Sequence, residues 1–244
     1  MGSSQAEKPL RRIAASFEEL AAVAKQQPAV PMDAGAFSRA CSNVSVLFGC
    51  LGIAFKFAEM DYVAKARILS CLRPVYKDWM VGLTDIRAST FETVFAVMCL
   101  LVMVDDLVEA SKSISTLPSM VERDIQTDTV RKPGSHTRNL LRVKRGIDMV
   151  KVLFEQILVT EGNSLRDAAS VAYAQVFAPH HGWAIRKAVS AGMYALPSKS
   201  QLLKKLNEDE ESAKVQMQNF VRSSAPVICY VDDLFTSRNL GIDW

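Results

Sequence analysis

From Ser135 to Ile157 the chain alternates polar and apolar residues with the period of an α-helix, and this stretch constrains the fold more than any other. Leu140, Val143, Ile147, Val150, Phe154 and Ile157 recur at three- and four-residue intervals, which sets them in one apolar stripe. At about 100° per residue, Arg138, Arg142 and Arg145 fall within roughly 60° of one another on a different face. No acidic residue lies between Thr129 and Ile147, so this positive charge is not neutralised locally and can act on an anion. Arginines at i and i+4 suit a phosphate, because each planar guanidinium can donate two parallel hydrogen bonds. A basic stripe on an amphipathic helix is also the commonest solvated face, so the stripe alone does not define a site.

The flanking sequence carries the same period. A first helix is predicted from about Lys8 to Gln26, with Leu10, Ile13, Ala14, Phe17, Leu20, Ala21 and Ala24 on one side and Pro28 and Pro31 ending it. Asp33 is placed to cap a second helix reaching about Lys65, on which Val44, Leu47, Leu51, Phe55, Ala58 and Tyr62 share a face. Gly49 and Gly52 inside it point either to close approach of another helix or of a ligand chain, or to simple tolerance. A further helix is expected from Asp105 to about Thr127, kinked at Pro118. Lys132-Pro133-Gly134 reads as a turn and Ser135 as the cap of the arginine-bearing helix, which should end near Gly162. Helices follow from Leu165 to about Val176 and around Ile185 to Met193. A last long helix starts at the acids of Glu208 to Glu211, bends at Pro226 and continues through Phe235. No strand pattern competes, so the expected class is all-α, with seven or eight helices.

Composition narrows the function classes. With 244 residues and 49% hydrophobic residues, one sizeable core can form, and a single domain over 1–244 is expected. A net charge of +3 is too mild for a protein devoted to nucleic acid, and no nucleic-acid partner is expected. The first residues lack the apolar core of a secretory signal, and the longest apolar run, Val94 to Val104, is short of the ~20 residues of a spanning helix. The five cysteines are odd in number and without ligand spacing, which reads as reduced, buried thiols and a cytosolic, cytoplasmic location. His180 and His181 lack third and fourth ligands, so no metal and no cofactor is expected. Neither a GxSxG nor an HExxH motif is present, and no nucleophile supports an enzyme reading.

Three short elements, taken in chain order, are more specific than any one alone: Asp61 and Lys65 four apart, Arg138 and Arg142 four apart, and His181 followed by Trp183. Together they resemble the glycolipid transfer protein superfamily, over about Lys8 to Ala66 and Val104 to Trp244. The resemblance implies a two-layer helical sandwich enclosing a pocket for lipid chains, with one headgroup site at its rim. Asp61 would accept from the ceramide amide; Lys65, Arg138 and Arg142 would take a phosphate; His181 would bond the amide oxygen; Trp183 would touch the bilayer. Charge at Lys65 and on the arginine-bearing helix resembles the branch that carries ceramide-1-phosphate rather than sugar headgroups. That branch implies non-vesicular transfer between membranes, transient membrane-surface contact, and a link to restraint of programmed cell death and plant defence. The competing expectation is a helical membrane-surface adaptor or lipid sensor that binds acidic lipid without transferring it. No protein partner follows from either reading.

One departure interrupts the likeness. About 38 residues, from 66 to 103, separate Lys65 from Val104, and their composition, with Arg73-Pro74, Trp79, Gly82 and two cysteines, differs from the flanks. We expect this 66–103 segment to be an insertion into the single domain, of the kind a retained intron would produce.

Overall fold

The computed structural model describes residues 8–26, 30–51 and 103–244. Asp61, Lys65, Gly52 and all of the 66–103 segment except Met103 lie outside the described residues, as do Pro28, Cys71 and Cys99. The nine α-helices found among the described residues are α1 (Pro9–Ala24), α2 (Ala34–Leu51), α3 (103–111), α4 (Leu117–Gln126), α5 (His136–Val159), α6 (Arg166–Val176), α7 (Trp183–Gly192), α8 (Lys199–Lys205) and α9 (Glu210–Thr236). Among these residues the only β pairing is two isolated bridges, Asp33 with Thr116 and Ser164 with Ser198. The all-α expectation holds.

The predicted stripes are the buried ones. On α1, Leu10, Ile13, Ala14, Phe17, Leu20, Ala21 and Ala24 all point inward, and Pro9 opens the helix where its missing N–H costs nothing. Helix α1 packs against α2 and α9, α9 against α5, and α5 in turn against α6, α4 and α2. Phe220 of α9 sits edge-on between Phe17 and Phe154, at centroid distances of 4.9 and 5.5 Å, and locks α1, α9 and α5 together. Helix α5 is buried around much of its circumference: besides its predicted stripe, Leu141, Met149, Val152 and Leu153 are enclosed. An amphipathic helix on the outside of a core would not be, so α5 runs through the middle of the assembly.

Several boundaries correct the sequence reading. The helix expected from Asp105 to Thr127 is two helices. The chain turns at Lys112 and Ser113, and the Thr116 side chain accepts from Ser119 N at 3.2 Å to start α4. Pro118 lies in the first turn of α4, where proline is tolerated, and kinks nothing. Main-chain bonds Ala34 N to Ser115 O (2.9 Å) and Leu117 N to Met32 O (3.0 Å) tie that break to the start of α2, where Asp33 Oδ1 accepts from Ala36 N at 2.6 Å. Helix α5 stops at Val159, short of Gly162. Helix α9 runs unbroken from Glu210 to Thr236 with Pro226 inside it. Helix α8 was not anticipated; a capping box of Ser198 and Gln201 starts it. No described atom lies within 4 Å of where a Cβ on Gly49 would stand. Among the described cysteines Cys41 is buried, Cys50 half-buried and Cys229 exposed, so of these three only Cys41 meets the expectation of a buried thiol.

Candidate functional site

The arginine-bearing helix is set by two oxygens at its start. Ser135 Oγ accepts from Arg138 N at 3.0 Å, as the cap reading required. Asp124, 6% exposed at the end of α4, accepts from Thr137 N through Oδ2 at 2.7 Å and from Thr129 Oγ1 through Oδ1 at 3.2 Å. A carboxylate on the positive end of the α5 dipole is favourable, and it fixes where the first turn, and so Arg138, begins. The turn before it uses Gly134 at φ +84°, a conformation that side chains resist. From the side, Asp106 of α3 receives His136 Nδ1 at 2.9 Å and Asn139 Nδ2 at 2.8 Å. The Asp106 carboxylate raises the His136 pKa above its ordinary value, partly opposed by burial.

Arg138 is buried, at 7% exposure, and its Nη1 donates to the main-chain oxygen of Arg131 at 3.3 Å. Arg142, one turn on, is half-buried. The third arginine of the predicted basic stripe does other work: Arg145, 6% exposed, donates from Nη2 to the main-chain oxygens of Ile242 (2.6 Å) and Trp244 (2.8 Å). Burial lowers its pKa, against the attraction of Asp243 and Asp232. Nearby, Arg131 donates to Leu240 O at 3.0 Å and lies 5.2 Å above the Trp244 ring. Lys144, also buried, meets Asp232 Oδ1 at 2.7 Å. The basic face of α5 therefore divides. Lys144 and Arg145 hold α9 and the segment after it, while Arg138 and Arg142 lie one turn apart nearer the start of α5.

The His-Gly-Trp element comes to this face. His180, in the 3-10 turn Ala178–His180, has its pKa lowered by burial first and then by the positive charges of Arg145, Lys144 and Arg142, which places it in the field of the α5 cations. His181 is 8% exposed, stacks on Phe177 with centroids 5.7 Å apart, and shares a 2.9 Å hydrogen bond between Nδ1 and the hydroxyl of Tyr173 on α6. Burial pushes the Tyr173 pKa up to about 12. Two residues later the chain is outside: Trp183, the first residue of α7, is 70% exposed. Tyr194, also 70% exposed, was not singled out from sequence; the Arg166 guanidinium lies 4.0 Å above its ring. Its signal was there to be read, since it follows Trp183 by about three helical turns.

The structure therefore brings the His180 turn within electrostatic reach of Arg142, one turn along α5 from Arg138, and sets Trp183 on the surface. Among the described residues no helix is long and apolar enough to cross a membrane, and no group of three or more His, Cys, Asp or Glu is arranged to hold a metal.

An all-helical core that carries a basic pair on its central helix is compatible with a lipid carrier, and comparison with known proteins identifies the family. Residues 101–208 match the family described as Glycolipid transfer protein (GLTP). The chain is 57% identical to "Accelerated cell death 11" of Arabidopsis thaliana over 246 residues, covering all of both chains, and 41% identical to the Arabidopsis "ACD11 homolog protein" over 97% of this chain and 89% of that one. The crystal structure of an aspartate-to-asparagine variant of the former, complexed with C12 ceramide-1-phosphate, superposes with a TM-score of 0.80 at 54% identity, over 98% of this chain and 100% of that one. Mouse ceramide-1-phosphate transfer protein in its apo form shares the fold, with a TM-score of 0.68 at 17% identity, over 95% of this chain and 97% of that one. This chain belongs to the glycolipid transfer protein family, a family of lipid transfer proteins with an all-α fold.

Proposed function

We propose that this chain moves ceramide-1-phosphate-type sphingolipids between membranes without altering them chemically. The observation that carries the reading is the pair Arg138 and Arg142, one helical turn apart on α5 with Arg142 in electrostatic reach of His180, while the neighbouring Arg145 is committed to the segment after α9. Two enclosed guanidinium groups suit one phosphate: partial removal of water strengthens each charge-assisted bond, and their fork geometry orients the group. In this reading His181 bonds the ceramide amide oxygen. Asp61 and Lys65, which lie outside the described residues, complete the headgroup set through the amide and the phosphate. A relative 57% identical that has been crystallised in variant form with ceramide-1-phosphate supports this ligand class.

Carriage is a matter of area. A ceramide with about 30 methylenes would cost about 20 kcal/mol or more to hold in water, so the carrier must supply an apolar lining of similar extent. Headgroup contacts then select among lipids that all satisfy the lining. Trp183 and Tyr194, amphipathic rings on the surface beside the basic residues Arg186 and Lys187, suit transient contact with a membrane surface, from a cytosolic location. We also place the 66–103 segment as an insertion into one domain; the family match begins at residue 101, where that segment ends. Reverse transcription across its borders is expected to yield a major product without it, and a dominant product containing it would refute a retained intron and leave a genuine isoform loop.

Transfer of fluorescent ceramide-1-phosphate between vesicles tests the function, beside galactosylceramide as control. The expected result is rapid transfer of the first only, lost in Arg138→Glu and Arg142→Glu at unchanged helicity. Vesicle binding without any withdrawal of the lipid from the bilayer, by the chain with or without residues 66–103, would overturn it in favour of an adaptor.

A further inference from the structure

A histidine that bonds a carbonyl oxygen must present a ring N–H to it, and a neutral imidazole has only one. Which nitrogen carries that proton is decided by the partner of the other. In this chain Nδ1 of His181 lies 2.9 Å from the hydroxyl of Tyr173, eight residues earlier on α6. Both residues are buried, at 8% and 7% exposure, and the imidazole is clamped against Phe177 at an interplanar angle of 17°.

The direction of the bond follows from the phenol. Among the described residues the Tyr173 hydroxyl has no hydrogen-bond partner besides His181. Were Nδ1 to carry the proton and donate, the phenolic hydrogen would be left without an acceptor in a buried place, an arrangement disfavoured by about tenfold or more. If the phenol donates, both groups are satisfied. Burial also holds the phenol protonated well beyond neutral pH, so the hydrogen is there to donate.

We propose that Tyr173 is a positioning residue for the headgroup site: its hydroxyl donates to Nδ1 of His181 and thereby assigns the ring N–H to Nε2, the atom that donates to the amide oxygen of a bound ceramide. This rests on the carrier reading above. Tyr173 itself touches no lipid in it; it works through the histidine, and Phe177 keeps the ring plane fixed while it does so.

The test joins a spectroscopic readout to transfer. Nitrogen NMR of ring-labelled protein resolves the three histidines, with the His181 signals assigned by their loss in His181→Gln. The expected spectrum at neutral pH has the His181 proton on Nε2 and an unprotonated, hydrogen-bonded Nδ1, whose signal moves in Tyr173→Phe. That variant keeps the ring packing and should transfer ceramide-1-phosphate about fivefold or more slowly, with its melting temperature little changed. A proton on Nδ1 in the wild-type protein would overturn the proposal. So would a Tyr173→Phe protein that transfers like wild type while His181→Ala is crippled, in which case the carrier reading stands. If His181→Ala is itself unimpaired, the histidine has no part in carriage and both readings of it fall.

Discussion

Replacing Arg145 by methionine separates the two jobs of the basic face of α5. The side chain is 6% exposed and makes two short donations, 2.6 Å to Ile242 O and 2.8 Å to Trp244 O. Methionine keeps most of the buried stem, so the loss is chiefly those two bonds. A hydrogen bond from a charged donor contributes about 1.5–3 kcal/mol. Ile242 and Trp244 are only half-buried, and their freed oxygens can take up water, which puts the total near the lower end, about 2–4 kcal/mol. For a chain of this size each kcal/mol moves the melting temperature by about 2–4 °C, so Arg145→Met should melt about 5–15 °C lower. Below that temperature it should transfer ceramide-1-phosphate at close to the wild-type rate. Arg142→Met should slow transfer by about tenfold or more, the worth of a charge-assisted contact to phosphate. Circular dichroism melts and a vesicle transfer assay on the same preparations decide it. An Arg145→Met protein that melts normally and fails to transfer would show that Arg145 faces the headgroup, and the division drawn between the arginines would be wrong.

Asp124→Ala removes the carboxylate that receives Thr137 N at 2.7 Å and Thr129 Oγ1 at 3.2 Å, and should cost about 2–3 kcal/mol by denaturant titration; a loss below 0.5 kcal/mol, taken as roughly the scatter of surface substitutions, would refute its capping role. Phe220→Ala opens the space between Phe17 and Phe154 and should cost about 3–5 kcal/mol by the same titration. His136 has a raised folded-state pKa, so its contribution to stability is complete below the unfolded value near 6.5 and is lost as pH rises through the folded value. His180, whose pKa is lowered, acts with the opposite sign, losing stability as pH falls through that same unfolded value. The comparison must therefore be between wild type and His136→Gln: the stability difference should shrink as pH rises from 5.5 to 8, and a pH-independent difference would remove His136 from the linkage.

What the sequence made legible is what a period and a cap can encode. The seven buried residues of α1 are the seven at helical spacing, and Ser135 caps α5 where the pattern starts. Pro118 was misread because proline has two opposite meanings, a kink inside a helix and a favoured start in its first turn. Only the Thr116 side chain, accepting from Ser119 N, decides between them. Helix α8 escaped because at seven residues it has too few turns to show a period, and its Ser198-Gln201 box is a local signal without one.

The arginines show a deeper limit. Arg138, Arg142 and Arg145 lie within one arc of the helix, and nothing local distinguishes them. Their roles part only because the chain returns about a hundred residues later, with Ile242 and Trp244 bringing main-chain oxygens to Arg145 and Asp232 bringing a carboxylate to Lys144. A charge is available to a ligand only to the extent that the fold has not already matched it, and that matching is long-range. The same argument explains why Tyr173 went unremarked beside His181. Eight residues is no helical interval across the turn at Ala178–His180, and the pair exists because α6 and that turn fold back on each other. Residue types named the chemistry of this site. Which of two like residues performs it is set by what the rest of the chain brings alongside, and here that sorting commits Lys144 to Asp232 and Arg145 to the segment after α9.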